Sequence, residues 1–253
     1  MKDIAFWPGI SGRAALVTGA SSGLGAHFTR VLAAQGAHVC AAARRTERVE
    51  ALCAELRGKG YQATPLALDV SSAAAVNDAL SGQVFDLVVN NAGVSHSCAA
   101  LDLNAQMLDS VIDTNLKGVF HVAQVTAAAM RASGKPGAIV NVASILGSRV
   151  AGHVAAYAAS KGAVLQLTRA LALEWARYDI RVNALSPGYI ETELNRDFFA
   201  SDLGQALIRR VPQRRLGQPS DLDGALLLLL SDLGGFITGA DIVADGGHLV
   251  SSL

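Results

Sequence analysis

Tyr157 and Lys161 are the two residues whose types and spacing point most directly to chemistry. They stand four positions apart in Tyr157-Ala158-Ala159-Ser160-Lys161, and in a helix this spacing places both side chains on one face. A free tyrosine has a pKa of about 10. A lysine ammonium close by would lower that pKa toward neutrality, because it stabilises the phenolate. The pair therefore predicts a tyrosine that acts as a general acid and base.

Ser144 and Asn115 favour a catalytic interpretation over the alternative, in which Tyr157 is a half-buried aromatic residue beside an extended lysine. Ser144 ends the predicted fifth strand, in Val140-Asn141-Val142-Ala143-Ser144, and can hydrogen-bond a substrate oxygen. Asn115 falls inside a helical stretch over 104–131. Asparagine is a poor helix former, so its presence there indicates a polar task.

A glycine-rich segment lies between the predicted first strand, 14–18, and the predicted first helix, 24–35. It reads Thr18-Gly19-Ala20-Ser21-Ser22-Gly23-Leu24-Gly25. Glycines permit a tight turn and close approach of the backbone to a pyrophosphate, and the N–H groups at the helix start favour its negative charge. Glycine triplets also occur in ordinary turns, but this position predicts that a dinucleotide binds here.

The end of the second predicted strand bears on which dinucleotide that would be. A site selective for NAD usually places an acidic residue there to bind the ribose 2′-hydroxyl, whereas this chain has Ala43-Arg44-Arg45. Guanidinium groups can pair with a 2′-phosphate in a forked geometry. The alternative is that Arg44 and Arg45 only solvate the start of the next helix. The missing carboxylate favours NADP(H), with NAD(H) possible.

Two further loops fit the same ligand. Asp69-Val70 follows the third predicted strand and could accept a hydrogen bond from an adenine amino group. Asn91-Ala92-Gly93 follows the fourth, where small residues let the backbone approach a cofactor. Either loop alone would be an ordinary turn.

Short apolar runs alternate with longer helical segments along the whole chain. The predicted strands are 14–18, 38–42, 64–68, 87–90, 138–142, 181–185 and 242–244, and the predicted helices are 24–35, 46–58, 72–81, 104–131, 154–178 and 220–231. Most strands are continuously apolar, as expected when both faces are covered. The last helix should begin at a capping box, Ser220-Asp221-Leu222-Asp223. The pattern predicts one α/β domain over 1–253, a doubly wound parallel sheet with helices on both faces.

Composition excludes several classes of function. The formal net charge is zero, so no electrostatic footprint for nucleic acid or an anionic membrane is present. The longest apolar run, 225–230, is far too short to span a bilayer. The N-terminal residues lack the pattern of a secretory leader, which predicts a cytoplasmic protein.

The three cysteines, Cys40, Cys53 and Cys98, have no metal-ligand spacing. They are expected to be reduced, structural thiols rather than nucleophiles.

In type, order and spacing these features together resemble the short-chain dehydrogenase/reductase family over nearly the whole chain. The matching residues are the glycine segment 18–25, Asn90-Asn91-Ala92-Gly93, Asn115, Ser144, Tyr157, Lys161 and Pro187-Gly188. Thr238-Gly239 and Asp245-Gly246-Gly247 extend the similarity to the 3-oxoacyl-(acyl-carrier-protein) reductase type. The resemblance implies a Rossmann fold and an NAD(P)-dependent oxidoreductase acting on CH–OH groups. No family motif is missing, which argues against a non-catalytic relative.

The resemblance also implies a role for each site residue. Tyr157 would protonate the carbonyl oxygen as hydride arrives, and Lys161 would bind the nicotinamide ribose. Ser144 would position the substrate oxygen, and Asn115 would hold a water linking Lys161 to solvent. The remaining implied cofactor contacts are Gly19, Ser21, Ser22, Gly23, Leu24, Gly25, Arg44, Arg45, Asp69, Val70, Asn91, Ala92, Gly93, Pro187, Gly188, Ile190 and Thr192. No metal is expected.

Residues 189–217 break the alternation of strands and helices. A long insertion after the sixth strand would lie over the cofactor site and could close as a substrate lid, or it could be an ordinary amphipathic excursion. We expect a mainly apolar pocket formed by Ile145, Leu146, Val150, Val154 and Phe198. His96 and His153 could add polar contacts there, or they could be rim or surface residues.

The sequence thus predicts an NADP(H)-dependent reductase of ketones or secondary alcohols. The alternatives are a 3-oxoacyl-thioester reductase and a non-catalytic NADP-binding sensor or scaffold. An acyl-carrier protein would need cations near the pocket mouth, for which Arg131, Lys135 and Arg177 are candidates. A homotetramer or homodimer is expected, with apolar faces of 104–131, 154–178 and 249–253 as interfaces, although these faces could equally belong to the core.

Overall fold

The computed structural model describes residues 7–193 and 195–251. Residues 1–6, Leu194 of the predicted lid and the last two residues of the C-terminal segment lie outside the described part.

Within these described residues, seven strands form one sheet in which every neighbouring pair is parallel. They are β1 (Ala14–Thr18), β2 (His38–Ala43), β3 (Ala63–Ala67), β4 (Leu87–Asn90), β5 (Gly137–Val142), β6 (Ile180–Pro187) and β7 (Asp241–Ala244). Their spatial order is β3-β2-β1-β4-β5-β6-β7. This order confirms the predicted doubly wound sheet, and each predicted strand overlaps an observed one.

Nine α-helices in the described residues connect and flank these strands. They are α1 (Gly23–Ala34), α2 (Thr46–Gly58), α3 (Ala73–Leu80), α4 (Ala105–Ile112), α5 (Gly118–Ser133), α6 (Ala155–Trp175), α7 (Arg196–Ala200), α8 (Asp202–Ile208) and α9 (Asp223–Leu230). The sheet is covered on both faces by two large apolar clusters. In β1, Leu16 belongs to one cluster, whereas its neighbours Ala15 and Val17 belong to the other. Such strands are continuously apolar because both of their faces are buried.

The edge strand β3 departs from that pattern. Its first residue is buried, but the four that follow are exposed or half-buried. The expectation that strands are covered on both faces therefore fails here, and Pro65, which cannot donate a backbone hydrogen bond, is tolerated at such an edge.

Two predicted helices are also corrected. The stretch 104–131 is interrupted by a π-helical turn, Asp113–Lys117, between α4 and α5. The segment 220–231 opens with a short 3-10 helix, Pro219–Leu222, so the predicted capping box beginning at Ser220 is wrong. The Asp221 carboxylate instead accepts the N–H of Gln218 at 2.8 Å, because the helical turn begins two residues earlier than the apolar periodicity indicates.

The apolar faces of α5 and α6 pack largely in the core, where Val122, Met130 and Leu171 are buried. In the described part of the chain, no helix combines the length and the apolar character that a membrane span requires.

The strand order reverses between β1 and β4. In open parallel sheets, ligands bind at the carboxyl ends of the strands beside such a reversal.

Candidate active site

A cleft of about 730 Å³ lies at the carboxyl ends of the strands, where the reversal predicts it. It is lined by Gly19, Ser21, Ser22, Gly23, Leu24, Ala43, Arg44, Arg45, Leu68, Asp69, Val70, Asn91, Ala92, Gly93, Val94, Ser95, Thr114, Val142, Ala143, Ser144, Tyr157, Lys161, Pro187, Gly188, Tyr189, Ile190, Thr192 and Asn195. The fold thus brings nearly all the sequence-predicted site residues to one cavity. The two exceptions are Gly25 and Asn115.

The glycine loop between β1 and α1 needs its glycines for two different reasons. Gly19 has a left-handed φ of 68°, and a Cβ there would approach the Ala92 Cα to 2.8 Å. A Cβ at Gly25 would collide with the Gly19 carbonyl oxygen. Gly25 therefore allows α1 to pack against the loop rather than facing the cleft. A Cβ at Gly23 would meet only the Thr192 side chain, no closer than 3.8 Å, which leaves this backbone open to a ligand.

Thr18 and Asn91 hold the loop to the end of β4. The Thr18 hydroxyl oxygen accepts the N–H groups of Asn91 and Ala92, each at 3.1 Å. The Asn91 amide donates to the Thr18 carbonyl oxygen at 3.0 Å. The Asn91 side chain therefore braces the two loops against each other. The surface it leaves for a cofactor is mainly the backbone of 91–93.

Arg45 is tied to the glycine loop across the cleft. Its Nη2 donates to the hydroxyl oxygens of Ser21 and Ser22, at 2.8 and 2.7 Å. Arg44 lines the cleft beside it, and neither arginine forms a salt bridge within the described ranges 7–193 and 195–251. Two guanidinium groups and two hydroxyls thus converge at one end of the cleft, a donor set suited to a phosphate.

Asp69 stands beside this end, after β3. Its Oδ1 accepts the N–H and the hydroxyl of Ser71, at 3.0 and 2.7 Å. Burial acts to raise the pKa of the Asp69 carboxyl, but the two Ser71 hydrogen bonds and nearby Arg44 outweigh it and lower that pKa. Asp69 is therefore ionised at neutral pH, so it can accept a hydrogen bond from a ligand.

Tyr157 and Lys161 lie on one face of α6 as predicted, but their electrostatics differ from the expectation. Burial raises the pKa of Tyr157, and the hydrogen bond with Ser144 only partly opposes that rise. The Lys161 Nζ lies 5.6 Å from the centre of the Tyr157 ring and donates to the Val142 carbonyl oxygen at 2.7 Å. The predicted lowering of the tyrosine pKa by the lysine is therefore wrong for this structure, because desolvation of the phenol exceeds the opposing hydrogen bond with Ser144.

Lys161 is itself strongly affected by its surroundings. It is only 4 % exposed, and burial lowers the pKa of its ammonium from 10.5 to about 8. The folded protein therefore releases this proton at a lower pH than the unfolded chain does. The contribution of Lys161 to stability is consequently unfavourable below pH 8 and becomes less so as the pH rises toward 10.5.

Lys161→Met gives a measurable consequence of this burial. Between pH 7 and 9 we expect the free energy of unfolding of the wild type to rise by about 1 kcal/mol relative to that of the variant. Urea denaturation of both proteins at the two pH values measures this difference. Lys59→Met, which removes an exposed lysine, is the control and should show no comparable trend. A constant difference between wild type and Lys161→Met would contradict a depressed lysine pKa.

Asn115 occupies the π-helical turn and is fully buried. Its Oδ1 accepts the N–H of Val94 at 2.8 Å, and its Nδ2 donates to the Val94 carbonyl oxygen at 2.9 Å and to the Ser160 hydroxyl at 3.1 Å. These bonds attach the loop after β4 to α6, so the amide positions both walls of the cleft. π-turns inside α-helices occur frequently at functional sites. The implied water contact would have to share an amide that is already used in this way.

The first part of the predicted lid lies over the glycine loop. The Thr192 side chain approaches Gly23. The backbone N–H of Thr192 donates to the Asn195 Oδ1 at 2.8 Å. Glu193 forms an ion pair with Arg48 of α2 at 3.2 Å. The segment is therefore in contact with the dinucleotide end of the cleft.

The structure does not form the expected apolar pocket. Ile145 is buried in the core, Val150 is 83 % exposed, and Phe198 is half-exposed. None of the five predicted wall residues, which include Leu146 and Val154, lines the cleft. They follow Ser144 or belong to the lid, and loop and lid geometry turns them away from it. Ser95, Tyr189 and Asn195, which were not expected as pocket walls, line the cleft instead.

His96 and His153 lie outside the cleft lining. The His96 Nε2 contacts the Ser110 hydroxyl at 2.8 Å. His153 is exposed and has a left-handed φ of 64°. Both placements agree with peripheral positions.

Arg131, Lys135 and Arg177 do not surround the mouth of the cleft. Arg131 and Lys135 precede β5 and Arg177 precedes β6, so they lie at the amino ends of the strands, on the opposite edge of the sheet. Arg131 and Arg177 both stack on the Tyr178 ring, at 5.0 and 4.8 Å from its centre. Their proposed role in docking an acyl-carrier protein is therefore wrong.

Thr114, Tyr189 and Asn195 line the cleft but were not predicted as site residues. Thr114 precedes Asn115, and Tyr189 lies between Gly188 and Ile190. Their position next to predicted site residues was the sequence feature that could have identified them. No sequence feature indicated Asn195, because its side chain reaches the site only through the turn that it caps. In that turn, its Nδ2 donates to the Ile190 carbonyl oxygen at 2.8 Å.

Within the described residues, His, Cys, Asp and Glu form no cluster able to hold a metal.

The fold and the cleft together define a doubly wound, dinucleotide-binding oxidoreductase. A family model described as enoyl-(acyl carrier protein) reductase matches residues 19–248. D-threitol dehydrogenase of Mycolicibacterium smegmatis is 37% identical over 246 residues, 95% of this chain and 94% of the relative. The 3-oxoacyl-(acyl-carrier-protein) reductase of Thermotoga maritima is 33% identical over 246 residues, 95% of this chain and 99% of the relative.

Among solved structures, gluconate 5-dehydrogenase from Burkholderia cenocepacia, in complex with NADP and tartrate, superposes with a TM-score of 0.91. It is 35% identical, and the match covers 96% of this chain and 97% of that one. The chain belongs to the short-chain dehydrogenase/reductase family, a family of enzymes.

Proposed function

We propose that the protein is an NADP(H)-dependent oxidoreductase that transfers a hydride between nicotinamide and a ketone or secondary alcohol. One observation carries the proposal. Ser144, Tyr157 and Lys161 line one end of a single cleft whose other end is lined by the glycine loop, Arg44 and Arg45. Proton-transfer groups and phosphate-binding groups are thus combined in one cavity.

The cofactor fits the residues that are present. The open backbone at Gly23 and the N-terminus of α1 suit a pyrophosphate. Arg44, Arg45 and Ser21 suit a 2′-phosphate, and Ala43 stands where an NAD-selective site would carry an acidic residue. The Burkholderia relative holds NADP, which supports the same preference here. When bound, the nicotinamide supplies or accepts the hydride.

The side chains of the chain itself handle the proton. The Ser144 hydroxyl hydrogen-bonds and polarises the substrate carbonyl oxygen. Tyr157 donates its proton to that oxygen during reduction and takes it back during oxidation. Its raised pKa keeps the phenol protonated at neutral pH, which is the form that reduction requires. Lys161 supports the site as a buried cation, and Asn115 positions the loop that faces it.

The segment 189–217 is proposed as the substrate lid, because its first residues already contact the glycine loop. A homo-oligomer in the cytoplasm, a homotetramer or homodimer, remains part of the proposal. The exposed apolar side chains of Leu173 and Phe236 support an interface.

A spectrophotometric screen tests the proposed function. NADPH and NADH oxidation are followed with ketones, ketoses, aldehydes and a 3-oxoacyl thioester as substrates. We expect turnover of a ketone or ketose with NADPH preferred. Bound NADPH without turnover of any compound would favour a sensor or scaffold, and turnover of the thioester alone would favour an acyl-chain reductase.

A further inference from the structure

Ser160 carries a buried hydroxyl on α6, between Tyr157 and Lys161 in the chain. The residue is fully buried. Its hydroxyl oxygen accepts the Asn115 Nδ2 at 3.1 Å, and the same hydroxyl donates to the Tyr157 carbonyl oxygen at 2.7 Å. Ser160 therefore joins the π-helical turn to the backbone of the residue that is proposed to exchange the proton.

The hydrogen bonds continue from Asn115 to the loop after β4. The Asn115 Oδ1 accepts the N–H of Val94 at 2.8 Å, and its Nδ2 also donates to the Val94 carbonyl oxygen at 2.9 Å. A side-chain amide has two N–H hydrogens, so Val94 and Ser160 can each accept one. Since Val94 lines the cleft, a continuous series of hydrogen bonds runs from the cleft wall through Asn115 and Ser160 to the Tyr157 backbone.

The turn after Ser144 packs on the same part of α6. A Cβ at Gly147 would lie 2.9 Å from the Lys161 carbonyl oxygen, so this turn and the helix are in close contact. Ser144 also forms a hydrogen bond with the Tyr157 hydroxyl. The position of the first turns of α6 therefore determines how well these two hydroxyls meet.

Thr168 makes the same kind of connection eight residues further along α6. Its hydroxyl oxygen accepts the Asn141 Nδ2 at 2.9 Å, and the hydroxyl donates to the Val164 carbonyl oxygen at 2.8 Å. Thr168 is also buried. The series through Ser160 ends at Tyr157 in the cleft, whereas Val164 does not line the cleft. The two hydroxyls thus differ in which part of the helix they hold.

We propose that Ser160 is a positioning residue, which holds the Tyr157 backbone against the loop after β4 so that the Tyr157 hydroxyl meets Ser144 and the substrate oxygen. Ser160 does not line the cleft and acts through Tyr157. A hydroxyl that bonds an earlier carbonyl of its own helix alters the local course of that helix. A small misplacement of a reacting group strongly lowers the rate. This inference rests on the proposed oxidoreductase function and assigns a further residue to it.

Ser160→Ala removes the hydroxyl and tests the inference. We expect kcat for the best carbonyl from the screen to fall by about 10- to 100-fold. The Kd for NADPH, measured by fluorescence titration, should be nearly unchanged, because the Val94 loop keeps both of its hydrogen bonds to Asn115.

Thr168→Val is the matched control, because it removes the equivalent hydroxyl from the same helix. It should lower the thermal stability about as much as Ser160→Ala does, and it should retain the wild-type kcat. An equal loss of kcat in Thr168→Val would attribute the effect to general damage of α6 and would overturn the inference.

The pH dependence of alcohol oxidation separates positioning from a purely structural role. Oxidation requires the deprotonated phenol, and the hydrogen bond with Ser144 acts to lower the pKa of Tyr157. A displaced Tyr157 loses part of that bond. In Ser160→Ala, the pH at which kcat for oxidation reaches half of its maximum should therefore move upward. A lower kcat with an unshifted profile would contradict a positioning role.

Two further variants complete the test. Ser160→Thr keeps the hydroxyl and should restore most of the lost kcat together with the wild-type pH profile. Ser160→Cys fills a similar volume but donates only weakly, so it carries the same expectation of an upward shift if Ser160→Ala does not fold. If the wild type reduces a carbonyl and the Ala and Cys variants match it in rate and profile, only this inference fails. If the wild type turns over no carbonyl at all, the proposed function fails with it.

Discussion

Replacement of Tyr157 with phenylalanine is expected to lower kcat by about 10²–10⁴-fold while leaving the Kd for NADPH nearly unchanged. The substitution removes only the hydroxyl that exchanges the proton with the substrate. The ring, which packs beside the Lys161 ammonium, remains. Steady-state kinetics with the best carbonyl from the screen and fluorescence titration with NADPH measure the two quantities.

Tyr178→Phe is the matched control for this prediction. Tyr178 lies at the opposite edge of the sheet, where Arg131 and Arg177 stack on its ring, and its loss should leave kcat unchanged. A Tyr157→Phe variant that retains a substantial share of the wild-type rate would remove Tyr157 from its proposed role. A rate lost together with NADPH binding would instead indicate damage to the cleft.

Replacement of Arg44 with aspartate is expected to reverse the cofactor preference toward NADH. A hydrogen bond to a charged group contributes about 1.5–3 kcal/mol, so loss of the contact should raise KM for NADPH by about 10-fold or more. The new carboxylate would also repel a 2′-phosphate and accept a hydrogen bond from the 2′-hydroxyl of NADH. Ratios of kcat/KM for the two cofactors, measured with one substrate, give the result.

Arg45→Gln should weaken NADPH binding without the gain for NADH, because it removes a cation but adds no acceptor. Lys59→Asp makes the same change of charge as Arg44→Asp near the far end of α2, where Lys59 pairs with Glu55, and should leave the cofactor ratio unchanged. An unaltered ratio in Arg44→Asp would contradict a 2′-phosphate site at Arg44.

The sheet could be predicted from sequence because its strands are buried on both faces, and this leaves continuous apolar runs such as 14–18 and 87–90. Glycine positions and the spacing of Tyr157 and Lys161 depend on local geometry, so they too were predictable. The beginning of the last helical segment was not, because Gln218 and Asp221 form the first turn ahead of the apolar periodicity.

Features that depend on distances between distant segments could not be obtained from the sequence. How Lys161 affects the pKa of Tyr157 depends on how deeply each group is buried and on the hydrogen bond from Lys161 to the Val142 carbonyl oxygen. Val150 turned outward because the loop after Ser144 leads away from the cleft. The rings of Tyr189 and His248 meet only because the C-terminal segment packs against the loop after β6.

Deuterium transfer from NADPH labelled at the transferable position of the nicotinamide tests the central claim most directly. The wild-type enzyme is incubated with the labelled cofactor and a carbonyl substrate, and the alcohol is examined by mass spectrometry. We expect one deuterium on the carbinol carbon, with no labelled alcohol formed above background by Tyr157→Phe. An alcohol product without deuterium, or equal labelling by both proteins, would contradict Tyr157-assisted hydride transfer in this cleft.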